Sequence, residues 1–66
     1  MTKNNMSFLK LSPCSEDGTE HEGFIFVAAN AFQVIRRTEH CTELFLMGGG
    51  HRFVTEKPEE IIAKCG

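Results

Sequence analysis

The sequence predicts an α+β fold: a small antiparallel β-sheet or partly closed barrel of about five short strands, with one C-terminal helix. Two observations predict it. Short apolar runs rich in strand-forming residues recur from residue 7 to residue 55, separated by turn residues, whereas helix signals are confined to residues 57–66. A chain of 66 residues is expected to form one domain, here residues 7–66, preceded by a flexible N-terminus at residues 1–6.

The first predicted strand, SFLKL at residues 7–11, is followed by a polar loop. Pro13 ends the strand because proline has no N–H to donate to a strand ladder. The loop covers residues 12–21, and its Asp17-Gly18 pair is typical of a tight turn. Its acidic side chains indicate a solvated segment rather than a metal site.

The second and third predicted strands are GFIFVA at residues 23–28 and FQVIRR at residues 32–37, joined by a corner at Asn30. Both faces of the second strand are apolar, so both are expected to be covered. Simple alternation in the third strand places Phe32 and Val34 on one face and Ile35 on the other.

The fourth and fifth predicted strands, TELFLM at residues 42–47 and HRFVT at residues 51–55, flank three consecutive glycines. A phosphate-binding loop would place such glycines between a strand and a helix, where helix N–H groups point at the anion. Here they lie between two strands. They therefore indicate a hairpin turn that uses the freedom of glycine to adopt positive φ.

The chain ends in a predicted helix at residues 58–65. Pro58 suits the first helical position, and Glu59, Glu60 and Lys64 complement the helix dipole. Lys57 at the cap position has no side-chain acceptor, so docking on the sheet must supply most of the stability. Its apolar stripe is predicted to be Ile61, Ile62 and Cys65.

The chemistry-bearing residues do not form a known catalytic or metal-binding pattern. The cysteines are Cys14, Cys41 and Cys65, and the histidines are His21, His40 and His51. Their spacings match no zinc motif, and no CxxC pair is present. A chain this short also has little room for a nucleophile, a base and an oxyanion pocket. We therefore expect no catalytic activity, no metal, no cofactor and three free thiols.

Charge and hydropathy narrow the remaining classes of function. The net charge is −2, whereas nucleic-acid-binding domains are usually basic, so this class is disfavoured. No apolar segment reaches signal-peptide or transmembrane length, which predicts a cytoplasmic protein without membrane insertion. The strands are apolar on both faces, and one short helix cannot cover a sheet. Self-association, as a dimer or larger, is therefore expected.

The predicted binding surface combines basic and apolar residues of the last three strands. It consists of Arg36, Arg37, Phe45, Met47, His51 and Arg52. Its expected partners are a second copy of the chain and an unidentified protein. A small ligand held in a basic cleft between subunits, and a nucleic acid, are the two alternatives.

Two segments, FVAANAFQVIRR and TELFLMGGGHRFVTEKPEEIIAK, resemble the small flagellar-motility proteins of the FlbD/SwrD type. The resemblance covers residues 24–64 and implies a similar β-rich fold. The sequence departs from the pattern of that family at the acidic loop 12–21, at Lys57 in place of a serine cap, and at EHCT, residues 39–42. The strand order also resembles small phage and mobile-element proteins and the last strands of LytTR DNA-binding domains. The matching positions are Asn30, Val34, Ile35, Thr42, Leu44, Leu46, Gly49 or Gly50, Val54, Glu56 and Glu59 to Ile62.

From these observations we expect a small regulatory or accessory protein that acts through protein–protein contacts.

Overall fold

A computed structural model describes residues 7–65, which form five strands and one helix. Strands β1 and β2 form one antiparallel sheet, and β3, β4 and β5 form a second, in that order. The predicted α+β class is confirmed, and within the described residues the two sheets do not close into a barrel. The expected flexible segment 1–6 lies outside the described residues. The elements are β1 Phe8–Leu11, β2 Ile25–Ala28, β3 Phe32–Arg37, β4 Thr42–Leu46, β5 His51–Val54 and α1 Pro58–Cys65.

The hydrophobic core lies between the two sheets and includes one residue of the helix. Each sheet turns a row of alternating aliphatic side chains toward the other, as the period of two along a strand requires. Burying one such side chain fully contributes about 1.5–3 kcal/mol. The buried members are Leu9 and Leu11 of β1, Val27 of β2, Leu44 of β4, Val54 of β5 and Ile61 of α1.

The segment between β1 and β2 is more ordered than the polar loop predicted from the sequence. Pro13 forms an isolated bridge with Val54, and the Cys14 N–H donates to the Phe53 carbonyl over 2.9 Å. This stretch therefore lines the free edge of β5. The predicted tight turn is confirmed: Gly18 has a φ of 92°, and the Thr19 N–H donates to the Asp17 carboxylate over 3.0 Å.

A β-bulge in β3 overturns the simple alternation predicted for that strand. Phe32 is opposite Leu46 and Val34 is opposite Phe45, which leaves Gln33 as an extra residue. The bulge changes the side of the strand on which the following side chains lie. Phe32 and Ile35 consequently both pack on the core, whereas Val34 is exposed.

The prediction that both faces of the second strand are covered is wrong for the single chain. The inner face of β2 packs into the core through Val27 and Ile25. On the outer side, Phe24 and Phe26 are 56% and 63% exposed. The β1–β2 sheet therefore has one buried face and one aromatic face open to solvent.

The β4–β5 connection is the glycine turn predicted from the sequence. The Leu46 N–H donates to the Gly50 carbonyl over 2.8 Å, and the Gly49 N–H donates back to the Leu46 carbonyl over 3.0 Å. Gly48 and Gly49 have φ values of 95° and 105°, which L-residues with a side chain rarely adopt. The glycines reverse the chain.

Helix α1 contacts β1 and β3, but its apolar stripe is narrower than predicted. Ile61 is fully buried, whereas Ile62 is 59% exposed and Cys65 is also exposed. At its start, the Glu60 carboxylate accepts the Lys57 N–H over 2.9 Å, which is half of a capping box. Glu60 thereby satisfies one N–H at a helix start whose cap residue, Lys57, has no side-chain acceptor.

Candidate binding surfaces

The structure brings three of the six predicted binding residues together and separates the others. The register places Arg36, Phe45 and His51 on the outer face of the three-stranded sheet. Arg37 directly follows Arg36, and Arg52 directly follows His51. Because successive side chains of a strand alternate between its faces, Arg37 and Arg52 belong to the opposite face. Met47 lies in the turn after β4 and is exposed. The three arginines therefore do not form one basic patch within the chain.

Each of the two remaining arginines has a local partner. The Arg37 guanidinium donates to both carboxylate oxygens of Glu59 on α1, each over 3.0 Å. The Arg52 guanidinium donates to the His51 carbonyl over 2.7 Å. Arg37 thus ties the helix to β3, whereas Arg52 bonds a backbone carbonyl and forms no ion pair within the described residues.

The outer face of the three-stranded sheet carries a group that we call the Glu43 cluster: Arg36, Glu43, Phe45, His51 and Phe53. Glu43 is buried beneath its neighbours. Arg36 donates to one of its carboxylate oxygens, and Nδ1 of His51 lies 3.1 Å from the other. The hydrogen bond from Arg36, with a smaller contribution from His51, holds the pKa of Glu43 below its ordinary value despite the opposing effect of burial.

Aromatic rings pack around the polar contacts of the Glu43 cluster. The Phe45 and His51 rings are stacked with centroids 5.9 Å apart, and Phe53 meets His51 edge-on at 5.5 Å. The Arg36 guanidinium carbon lies 6.0 Å from the centre of the Phe45 ring. The polar groups of the cluster therefore find their hydrogen-bond partners within it, and the cluster has the properties of a structural network.

A carboxylate bonded to an imidazole also orients histidine in many hydrolytic sites, which require a nucleophile on the other ring nitrogen. Among residues 7–65, no hydrogen bond joins His51 to a serine, threonine or cysteine. Sequence reasoning did not select Glu43. Glu43 could have been found from its position, because Glu43 and Arg36 lie equally far from the centre of the β3–β4 turn and are therefore cross-strand neighbours.

The outer face of the two-stranded sheet carries the largest group of exposed aromatic rings. We call Phe8, Lys10, Phe24 and Phe26 the phenylalanine face. The register places Lys10 opposite Phe26, and Phe8 two residues before Lys10 on the same side. The three rings are between 56% and 63% exposed, and the Lys10 ammonium lies 4.1 Å from the centre of the Phe24 ring. Sequence reasoning missed this surface because it expected both faces of β2 to be covered.

A small polar cavity of about 180 Å³ opens beside the β3–β4 turn and the start of α1. Its charged groups nearly cancel, because Glu39 also lines it and Arg37 is bound to Glu59. The described residues contain no group of three or more histidine, cysteine or acidic side chains placed to hold a metal. The cavity is lined by Arg37, Thr38, Glu39, His40, Cys41, Thr42, Thr55 and Lys57.

The three free cysteines differ in their burial. Cys14 and Cys41 are both buried, whereas Cys65 is exposed. Burial, with a smaller contribution from Cys41, raises the pKa of the Cys14 thiol to about 11. The Cys41 sulfur also lies 3.3 Å from the Thr38 hydroxyl and 3.7 Å from the Glu16 carbonyl.

Comparisons of the chain with protein-family models, with curated proteins and with solved structures find no match. Within the part of the chain that the structure describes, no helix has the length and apolar character needed to cross a membrane. The functional argument therefore depends on the surfaces themselves.

Proposed function

We propose that this chain is a non-catalytic binding protein that associates with a second copy of itself through the phenylalanine face. One observation carries the proposal: three phenylalanines on the outer face of β1–β2 are each more than half exposed. Large aromatic side chains are enriched at protein interfaces because each buries a large area with little loss of side-chain freedom. A regulatory or accessory role would follow from association rather than from chemistry.

The exposed aromatic area is consistent with a weak dimer. A phenylalanine side chain buries about 150–250 Å² when it is fully covered. Three rings at the observed exposure therefore offer roughly 300–400 Å² per copy. A specific interface needs about 500 Å² per partner, which neighbours such as Lys10 and Ala28 on the same face must complete. An interface of this size favours association in the micromolar range rather than a permanent dimer.

A second copy suits this face better than an unrelated partner for two reasons. Two sheet faces can pack on each other, and two-fold symmetry pairs each aromatic face with an identical one. Lys10 contributes as well, because it already lies over an aromatic ring and its ammonium could contact a ring of the second copy in the same way. A small domain also gains from burying a second face, since its own core gives a narrow stability margin.

The polar groups favour a binding role over catalysis. The carboxylate, guanidinium and imidazole of the Glu43 cluster are bound to one another. Burial raises the pKa of the Cys14 thiol to about 11, so that this thiol is a poor nucleophile at neutral pH. The groups of the Glu43 cluster and the Cys14 thiol are therefore better suited to a structural role than to attack on a substrate.

The proposal is tested by replacing Phe26 with serine and measuring the mass in solution by light scattering over a dilution series. The wild type should be a dimer at high micromolar concentration and dissociate on dilution, whereas Phe26→Ser should be monomeric throughout. Met47→Ser is the matched control, because Met47 is 62% exposed but lies outside the phenylalanine face. This control should dimerise like the wild type.

Three results would contradict the proposal. One is a wild type that is monomeric at every concentration. Another is a Phe26→Ser variant that dimerises normally, and the third is loss of the dimer in Met47→Ser alone. Circular dichroism of each variant confirms that the fold is retained. A monomeric wild type that needs Phe26 to bind a different protein would assign the face to that protein instead of a second copy.

A further inference from the structure

Strand β2 lies at the end of its sheet, and its outer edge carries free backbone groups. The order of the sheet places β1 on one side of β2 and no strand of residues 7–65 on the other. The Ala29 N–H donates to the Ser7 carbonyl over 2.8 Å, next to the last paired residues of the two strands. Because hydrogen-bonded and non-hydrogen-bonded pairs alternate along an antiparallel ladder, Phe26 and Lys10 form a non-hydrogen-bonded pair. The N–H and C=O groups of Phe26 therefore point away from β1, out of the sheet edge.

The edge of β2 lacks the features that protect the other strand edges from pairing with another chain. Such edges are commonly protected by charged side chains, prolines or bulges. Strand β3 has a bulge at Gln33 and ends in Arg36 and Arg37. Strand β1 carries Lys10 and continues into Pro13, which bridges to β5. Strand β2, by contrast, is uncharged, contains no proline and pairs in an unbroken register.

We propose that the β2 edge pairs antiparallel with the β2 edge of another copy, which joins two of the proposed dimers into a tetramer. The inference rests on the proposed function, because pairing of two four-residue strands is marginal in water and needs the packed phenylalanine faces to support it. In the tetramer, two copies share one four-stranded sheet, and two such sheets pack through their phenylalanine faces. This arrangement has three perpendicular two-fold axes, a common symmetry of homo-oligomers.

The segment around Phe26 is complementary to itself. A two-fold axis at Phe26 places this residue opposite its own copy, and their outward N–H and C=O groups then form two hydrogen bonds. The same axis places Phe24 opposite Ala28, so that a large side chain meets a small one on the phenylalanine face. On the other side of the sheet Ile25 meets Val27, and both are apolar. A second copy is thus an occupant that the register of the strand itself specifies.

The test blocks the β2 edge without removing an aromatic ring. A chain of 66 residues can be assembled by chemical synthesis, with a methyl group on the backbone nitrogen of Phe26. That methyl group replaces the outward N–H and leaves the phenylalanine face intact. Sedimentation of the wild type should show monomer, dimer and then tetramer as the concentration rises into the millimolar range, whereas N-methyl-Phe26 protein should stop at the dimer.

N-methyl-Ile35 protein is the matched control, because its methyl group blocks the edge of β3 instead. The Thr38 N–H donates to the Cys41 carbonyl over 2.9 Å, and the same alternation directs the Ile35 N–H away from β4. This control should form the tetramer like the wild type. A second measurement needs no variant: hydrogen exchange at the Phe26 amide of the wild type should slow by about tenfold or more between dimer and tetramer.

The possible results separate the edge pairing from the proposed dimer. A wild type that dimerises but forms no tetramer, with equally fast exchange at the Phe26 amide at every concentration, would overturn the edge pairing alone. So would an N-methyl-Phe26 protein that forms the tetramer, or a folded N-methyl-Ile35 protein that does not. A wild type that stays monomeric would overturn both proposals. A tetramer that requires the Phe26 N–H, with slowed exchange at that amide, supports the edge pairing.

Discussion

At the scale of single residues, the carboxylate of Glu43 connects three strands. It lies on β4, and its two oxygens bind Arg36 of β3 and His51 of β5. Both bonds lie across the sheet, so they resist sliding of either neighbouring strand. Because the carboxylate is largely shielded by these partners, its interactions are screened less than those of a surface ion pair.

Replacing Glu43 with glutamine should lower the melting temperature at neutral pH. The folded state holds the pKa of Glu43 below the ordinary value of 4.5, so it favours the charged form. The stabilisation is therefore present above about pH 4.5 and is lost as the pH falls through the lower folded-state pKa. The difference between wild type and Glu43→Gln should shrink over that acid range, as thermal melts from pH 7 downward would show.

The matched control for this prediction is Glu59→Gln, which removes the partner of Arg37 at a far more exposed site. Exposed ion pairs contribute little to stability, so this variant should melt close to the wild type at neutral pH. Equal losses in both variants, or a Glu43→Gln difference that persists at low pH, would contradict the assigned role of Glu43.

The sequence predicts some of the residues that lie together on one sheet face, but it does not predict which residues share that face. Arg36, Phe45 and His51 were selected and do lie together. Arg37 and Arg52 were selected with them because composition shows basic residues without showing which face of a strand each occupies. The register that decides the face is set by the turns and by the bulge at Gln33, which no pattern in FQVIRR displays.

At the scale of secondary-structure elements, the three adjacent glycines of the β4–β5 turn allow a test of whether positive φ is what requires glycine there. Gly48 and Gly49 have strongly positive φ values, whereas Gly50 does not. Gly48→Ala or Gly49→Ala should each cost about 1 kcal/mol or more, because a side chain there is forced into a conformation unfavourable for L-residues. A Cβ on Gly50 would lie 3.8 Å from the Arg52 guanidinium, an ordinary contact, so Gly50→Ala should be nearly neutral.

Denaturant unfolding of the three alanine variants measures this difference. Dimerisation of each variant should change only as far as its folded fraction changes, since the turn lies outside the phenylalanine face. A fully folded Gly48→Ala protein that no longer dimerises would place a contact at the turn and contradict the purely structural interpretation.

Elements were more predictable than their contacts. The predicted bounds of β3 and α1 agree with the structure, and those of β1, β2, β4 and β5 differ by one or two residues. Local sequence features such as Pro58, the glycines and the apolar runs are sufficient to predict where the strands and the helix begin and end. The buried part of the helix could not be predicted, because docking on β1 and β3 buries Ile61 and leaves Ile62 outside.

At the scale of the whole molecule, the two sheets share one core and leave their outer faces with opposite characters. On the outer face of the three-stranded sheet, the groups of the Glu43 cluster contact one another through an ion pair, a hydrogen bond and aromatic packing. The outer face of the two-stranded sheet keeps three rings in solvent. The proposed dimer would cover the second of these faces, and its formation should then be coupled to folding.

That coupling makes the melting temperature depend on concentration. If the folded protein dimerises and the unfolded chain does not, each tenfold rise in concentration adds about 1.4 kcal/mol of stability per dimer. Shared between two chains of this size, the gain should raise the melting temperature by about 3–5 °C per tenfold once the dimer dominates. Calorimetry of the wild type across a wide concentration range measures it. Phe26→Ser should melt at one temperature throughout, because it stays monomeric, and Met47→Ser should follow the wild type. A wild-type melting temperature that is constant over that range would show that folding is independent of association, and the phenylalanine face would then need another explanation.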